Sequence, residues 1–212
     1  VWAAMPPLTT NRLTVELDSS PELKKLLKEL SKKTMNEIRE DLAAKEESLS
    51  TTRRLLGMAK IKHSVKEIVD RIEAGVRPIL VGAWHTDVID ELHFSLAEKG
   101  VVSAILDGRT SAEKKQAHTK AFNNGTLDVL VGQIAAMGVS LNLQGGSHIV
   151  VVEEDWSPAV MDQFFARCHR LGQKNHVHVD IFQSDTKLDK AVHRISKAKR
   201  RGHNEMMEQS DD

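Results

Sequence analysis

The chain has little that would hold it together covalently. One cysteine, Cys168, stands alone in 212 residues, which excludes an internal disulfide framework and suits a reducing compartment. No apolar run approaches the roughly 20 residues that a membrane-spanning helix needs, so no membrane partner is expected. The opening residues, Val1-Trp2-Ala3-Ala4, lack the charged-then-apolar order of a signal peptide. Position 1 is not Met, as expected of an excised fragment. An intracellular location is expected, in the cytoplasm if the source is bacterial or phage and in the nucleus if it is eukaryotic. No charge of one sign is in excess either. Lys and Arg number 30 against 30 Asp and Glu, so no global field draws the chain to nucleic acid and any basic surface is local. The G-x-x-x-x-G-K-[ST] loop is also missing, and no glycine precedes a lysine. Nothing in the chain therefore cradles β- and γ-phosphates in that manner, and hydrolysis of a nucleoside triphosphate by this chain alone is not expected. Internal repeats and low-complexity segments are absent.

What is present reads as a folded domain, with 40% apolar and 28% charged residues. Arg12-Leu13-Thr14-Val15-Glu16-Leu17 alternates like a short strand. Ser20-Pro21 is an N-cap followed by proline at the first helical position, and helical sequence is expected to about residue 45. A second helix is expected over residues 51–73, stopped by Gly75. From Arg77 the pattern turns to short apolar runs at residues 78–81, 101–106, 129–131 and 149–152. Helical segments at 87–99, 112–123 and 158–171 separate them. Nearly continuous apolar strands alternating with helices indicate an α/β fold, a parallel sheet covered on both faces. Val177, Val179 and Ile181, alternating with polar residues, suit a strand nearer the sheet edge, and a last helix is expected over 187–200. We divide the chain into a leading strand and helical extension (1–76), the α/β domain (77–200) and a flexible tail (201–212). Ligands of such sheets sit at the carboxyl ends of the strands, which directs attention to residues 82–86, 107–111, 132–143 and 153–157.

The stretch Gln163-Phe164-Phe165-Ala166-Arg167-Cys168-His169-Arg170-Leu171-Gly172-Gln173 carries most information. On a helix at about 100° per residue, Gln163, Arg167 and Arg170 fall within a sector roughly 60° wide. Met161, Phe164, Phe165, Cys168 and Leu171 lie opposite. The stripe is either an ordinary solvated face or a pair of guanidinium groups aimed at phosphate, for which a permanent charge and forked donors are suited. These residues resemble motif VI of superfamily 2 helicases in the Swi/Snf form. The order of further segments extends the likeness over nearly the whole chain. Ile79 to His85 resembles motif IV, and Leu106-Asp107-Gly108-Arg109-Thr110 resembles the loop that follows it. Residues 129–143, ending Ala136-Met137-Gly138-Val139-Ser140-Leu141-Asn142-Leu143, resemble motif V, and Glu154-Asp155-Trp156-Ser157-Pro158 resembles the turn before motif VI. Thr52-Arg53-Arg54 with Ala59-Lys60 looks like the leading helical part of the same lobe, and residues 186–199 like its closing helix. Two departures stand out: Ala166 where that family usually has Asp, and Ser140 where glycine is common.

The resemblance implies a RecA-like C-terminal lobe of a DNA-dependent ATPase, preceded by a helical extension. It implies Arg167 and Arg170 as arginine fingers, Gln163 at the motif's glutamine position, and Gly138, Ser140 and Asn142 at the nucleotide cleft. It further implies His85, Thr86, Gly108, Arg109, Thr110 and Gln133 as contacts to a DNA strand. ATP and magnesium would be cofactors, held mainly by an N-terminal lobe outside this chain; the partners would be that lobe and double-stranded DNA, with strand translocation or remodelling as the activity. The resemblance is nearest to the branch of small annealing or fork-remodelling motors, with bacterial and phage members. A free-standing degenerate lobe acting as a binding module is an alternative, and a small-molecule α/β transferase another. Against the last, no Gly-rich turn follows the first strand.

Several features have plainer readings. Asp90-Glu91-Leu92-His93 spells a magnesium-binding helicase box, but it lies inside a helix and not at a strand end, so it is set aside. Cys168 reads as a packed core thiol, and His176 and His178 as a solvated strand face rather than a metal pair, so no metal site is expected. The basic residues from Lys187 to Arg201 suit DNA phosphates and a solvated helix equally. Trp84 and Trp156, each following a strand, either cover the cleft or pack.

Overall fold

The apolar runs become the strands of one sheet, and their alternation assigns each residue to a face. In the computed structural model, which describes residues 5–137 and 141–208 (side chains of 203–208 excepted), Ile79, Val81, Ala83, Val129, Val131, Val150 and Val152 point to one side. Leu80, Leu130, Ile149, Val151, Val177 and Val179 point to the other. Both sides are buried, as expected where helices cover a parallel sheet.

Among the described residues the elements run β1 (Leu8–Thr14), α1 (Pro21–Lys32), α2 (Met35–Ala44), α3 (Glu47–Glu73), β2 (Ile79–Ala83), α4 (Thr86–Glu98) and β3 (Ser103–Leu106). They continue α5 (Ala112–Asn123), β4 (Val129–Gln133), a 3-10 turn (Ile134–Ala136), β5 (His148–Val151), α6 (Pro158–Phe165), β6 (Val177–Gln183) and α7 (Lys187–Glu208). The six strands are all parallel, in the order β1-β6-β5-β2-β4-β3. Helices α3 and α4 cover one face through Ile61, Val65, Ile68, Val88, Leu92 and Leu96. Helices α5 and α6 cover the other through Phe122, Met161, Phe164 and Phe165. A third cluster joins α1, α2, α3 and α7 around Leu23, Ile38, Leu56 and Leu188. The expected α/β architecture with helices on both faces and a helical extension is therefore present.

Local chemistry explains most boundaries. Ser20 caps α1 by accepting from the Leu23 N–H, with Pro21 behind it. The single helix expected to residue 45 is two, because Thr34 and Glu37 form a reciprocal capping box that starts α2 afresh. Helix α3 begins at Glu47, earlier than expected, and the chain leaves it through Gly75 at φ 86°. Strand β1 lies earlier than its alternation suggested. Its span is set by the ladder to β6, from Leu8 opposite Val177 to Thr14 opposite Gln183, and its exposed Thr9, Thr10 and Asn11 are tolerable on an edge strand.

The largest departure is α6. It ends at Phe165, and the expected continuation to residue 171 is a series of turns. The Arg167 and Cys168 N–H groups bond back three residues, to Phe164 O at 3.1 Å and Phe165 O at 3.1 Å. The Arg167 carbonyl is taken by the Leu143 N–H at 2.8 Å, which diverts it from the helical ladder. Leu171, expected on the apolar face, is 60% exposed.

Candidate functional site

Strand order reverses at β2, so the loops leaving β2 and β5 depart to opposite faces and open the crevice where such sheets hold ligands. In this chain a buried side chain plugs only its floor, beside an open pocket lined by Arg53, Trp84, His85, Asp155 and Trp156. The buried Glu153 carboxylate accepts from the Trp84 N–H at 2.8 Å and the His85 N–H at 2.9 Å, and its second oxygen lies 2.7 Å from His85 Nδ1. Gly57 of α3 is required beneath it: a Cβ there would stand 2.6 Å from Glu153 Oε1. Arg53 lies between the two tryptophans, its guanidinium 5.8 Å from the Trp84 ring centre and 4.7 Å from that of Trp156, and donates to the Glu154 carbonyl at 3.1 Å. Both tryptophans therefore contact Arg53. Burial pushes the Arg53 pKa down, partly offset by Glu153 and Asp155.

Beside this plug the loops after β2, β3 and β4 form one surface. Gln133 ends β4 and donates to the Trp84 carbonyl at 3.1 Å, while a Cβ on Gly108 would meet the Gln133 side chain at 4.0 Å. His85 is anchored by Glu153, and Thr86, the first residue of α4, is exposed. Gly108 and Arg109 are exposed as well. The Asp107 carboxylate folds this loop, accepting from Arg109 N at 2.8 Å and Nε at 2.8 Å, and the Thr110 hydroxyl accepts from the Asp107 N–H at 3.0 Å. Burial would raise the Asp107 carboxyl, but the Arg109 and Thr110 donors hold it below the usual carboxylate range. Arg109 also forks onto Asp90 at 3.0 and 2.6 Å, so its charge is shared between two carboxylates. Asp90-Glu91-Leu92-His93 lies within α4, away from any strand end.

The arginines are elsewhere. Helix α6 runs back across the sheet, so the turn that follows lies at the amino ends of the strands and not in the carboxyl-end crevice. His169 Nε2 reaches the carbonyl of Pro6, just before β1, at 2.8 Å. Because the helix stops at Phe165, the stripe of Gln163, Arg167 and Arg170 on one helical face does not form. Gln163 is exposed on α6, Arg167 is 6% exposed and Arg170 is half-buried on the turn. Burial pushes the Arg167 pKa down, and the nearby charge of Arg170 pushes it further. Gln173, the last residue of the motif VI stretch and given no role of its own in the sequence, is buried and bonds across this turn. Glu153, an acid directly after an apolar strand, opens the loop 153–157 to which the sequence directs attention, but was likewise given no role of its own. Asn142 is exposed and joined to Asn123 through its carbonyl at 2.8 Å. Gly138 and Ser140 lie outside the described residues.

The remaining candidates are structural. Cys168 is fully buried and its thiol is pushed up to about 12 by burial, which leaves it unreactive. His176 stacks on His178 at 4.2 Å and His178 on His148 at 4.9 Å. Among the described residues no group of three or more His, Cys, Asp or Glu side chains is placed to hold a metal. Part of the α7 basic run is engaged within the fold: Lys187 donates to Ser31 O at 3.0 Å, Lys190 pairs with Asp185 at 2.5 Å and Arg200 with Asp162 at 2.7 Å. No helix among the described residues is long and apolar enough to cross a membrane.

A parallel sheet of this order, wrapped by helices and carrying an arginine turn beyond its last crossover helix, defines a RecA-like domain. Residues 59–172 match the helicase conserved C-terminal domain, and the chain belongs to that family. Its Swi/Snf-type relatives include Helicase SWR1 of Saccharomyces cerevisiae, 31% identical over 133 residues that make up 62% of this chain and 9% of that protein. The helicase-like transcription factor of Homo sapiens is 32% identical over 124 residues, 57% of this chain and 12% of that protein. The chain thus spans only about a tenth of the length of these relatives. The crystal structure of the C-terminal part of the Fun30 ATPase domain has the same fold, with a TM-score of 0.70 over 91% of this chain and 90% of that one at 14% identity. The relatives matched are eukaryotic and lend no support to a bacterial or phage source.

Proposed function

We propose that the chain is the second motor lobe of an ATP-driven translocase on double-stranded DNA, acting in a eukaryotic nucleus. Its first lobe would hold ATP and magnesium. The observation that carries this reading is the division of the sheet's two ends: Arg167 and Arg170 share a turn at the amino ends, while the loops after β2, β3 and β4 share a surface at the carboxyl ends. Bound ATP supplies a phosphoryl group on which negative charge develops during transfer. Arg167 and Arg170 stabilise that charge when the lobes close. Gln163, exposed on α6, and Asn142 line the same cleft. His85, Thr86, Gly108, Arg109, Thr110 and Gln133 hold the phosphates of one DNA strand without reading its sequence, and that grip weakens with salt.

The test is displacement of a third strand from triplex-bearing duplex DNA by the parent protein. The proposal expects ATP-dependent displacement that slows when Thr110 and Gln133 are both changed to Ala. An ATPase-active parent that displaces nothing from duplex would refute translocation.

A further inference from the structure

Two glutamines hang the arginine turn from the connection between β4 and β5. Gln173 Nε2 stands 3.1 Å from the Gln144 carbonyl, 3.0 Å from that of Gly146 and 3.1 Å from that of Cys168. Its Oε1 accepts from the Lys174 N–H at 2.9 Å and the Asn175 N–H at 3.0 Å. One buried amide therefore joins the end of the β4–β5 connection, the middle of the arginine turn and the approach to β6. Gln144 returns the tie, its Nε2 donating to the carbonyl of Leu171, the residue after Arg170. It lies close against Gly172, where a Cβ would come within 3.0 Å of Nε2; that glycine also sits at φ 98°.

The connection has an anchor of its own. Asn123, at the end of α5, donates to the Asn142 carbonyl at 2.8 Å and accepts from the Gly145 N–H at 2.8 Å. Gly145 is pressed so closely to it that a Cβ would stand 2.4 Å from the Asn123 Cα. The turn carrying the arginines is thus fixed through backbone groups by residues 143–146, which are in turn fixed to α5. The same connection begins at Gln133, within the surface assigned to DNA.

We infer that Gln173 is a positioning residue for the arginine fingers, and that the Gln173–Gln144 pair is the link by which the β4–β5 connection sets the placement of Arg170. The inference rests on the proposed function. An amide suits this place because it donates to carbonyls at one end and accepts from N–H groups at the other. Glutamate has the same shape but would set a carboxylate oxygen against three carbonyls, so Gln173→Glu removes the donors while keeping the volume.

The experiment is DNA-stimulated ATP turnover by the parent protein, with KM for ATP, DNA affinity and thermal stability followed in parallel. Gln173→Glu is expected to lower kcat about 10²-fold, the effect of misplacing a reacting group by about 1 Å, with KM for ATP and DNA affinity unchanged. General loosening of the lobe would move all three. In an Arg170→Ala background the same substitution is expected to add little, because what it positions is gone. Losses that multiply in full, or a kcat untouched by Gln173→Glu, overturn the inference. Turnover untouched by Arg170→Ala alone overturns instead the proposed function. Should Gln173→Glu fail to fold, Gln144→Ala removes the tie to Leu171 together with a bond accepted from the Asn142 amide, and is read the same way. A smaller kcat loss absorbed by Arg170→Ala supports the link, and no loss refutes it.

Discussion

Lys60→Met would withdraw a cation from between α3 and α7 and leave its partner behind. Lys60 is 3% exposed, with Nζ 2.8 Å from the Asp189 carboxylate and 3.2 and 3.1 Å from the carbonyls of Val152 and Phe182. Methionine keeps the stem's volume and none of its donors. Breaking a buried pair from one side costs about 3–5 kcal/mol, because an uncompensated charge remains. Against a total of about 5–15 kcal/mol that is a large fraction, and in a chain of this size it lowers Tm by roughly 6–20 °C. The pH dependence should also change sign. In the intact protein burial would raise the Asp189 carboxyl, but Lys60 and the Ser184 donors outweigh it and hold it below the usual range. That stability is present above the unfolded carboxylate pKa of about 3.9 and is lost as pH falls through the lower folded value. Without Lys60 burial prevails, the folded pKa rises, and the deficit is greatest at neutral pH and shrinks as acid protonates Asp189. Thermal melts of wild type, Lys60→Met and Lys60→Met/Asp189→Asn at neutral and mildly acidic pH check this, the double variant recovering part of the loss. A Lys60→Met melting point within about 2 °C of wild type, or a deficit that grows with acid, would refute the reasoning.

Gly57→Ala drives a methyl to 2.6 Å from Glu153 Oε1 and 2.9 Å from Val88 Cγ2. The expected cost is about 1–3 kcal/mol, with weaker DNA binding by the parent as the Trp84–His85 loop loses its anchor; calorimetry and DNA titration measure the two. Asp90→Asn frees half of the Arg109 fork at an exposed site. It should change stability by about 1 kcal/mol or less and tighten DNA binding by up to about fivefold at low salt, a gain that fades at high salt. His148 is held below the usual imidazole range by burial and then by the neighbouring His178, with Asp180 opposing. Its contribution is present above the unfolded value of about 6.5 and lost as pH falls toward the lower folded one. His148→Gln should flatten that part of a stability–pH curve.

Much of the fold was legible because local and global signals agreed. Strands β2 to β5 are apolar on both faces, Ser20-Pro21 caps a helix in most contexts, and Gly75 takes the positive φ that a helix end needs. The capping box at Thr34 and Glu37 was equally present in the sequence, but the Leu-rich period running through it masked it. The end of α6 had no local signal. Cys168 keeps the helical period, and only the distant Leu143 N–H, competing for the Arg167 carbonyl, breaks it. The two arginines stood out by residue type and spacing, whereas their place at the amino ends of the strands depends on where the crossover helix stops. Glu153, Arg53 and Gln173 act through partners far along the chain, at Trp84, Trp156 and Gly146. No spacing rule brings such pairs together.

The most direct test of the central claim is the DNA-stimulated ATPase rate of the parent protein, wild type against Arg170→Ala, with DNA binding measured alongside. A fall of about 10³–10⁵-fold with DNA affinity retained is what a lost arginine finger produces. Turnover unchanged by the substitution would contradict the account and leave the arginine turn a surface feature of a lobe that binds without driving hydrolysis.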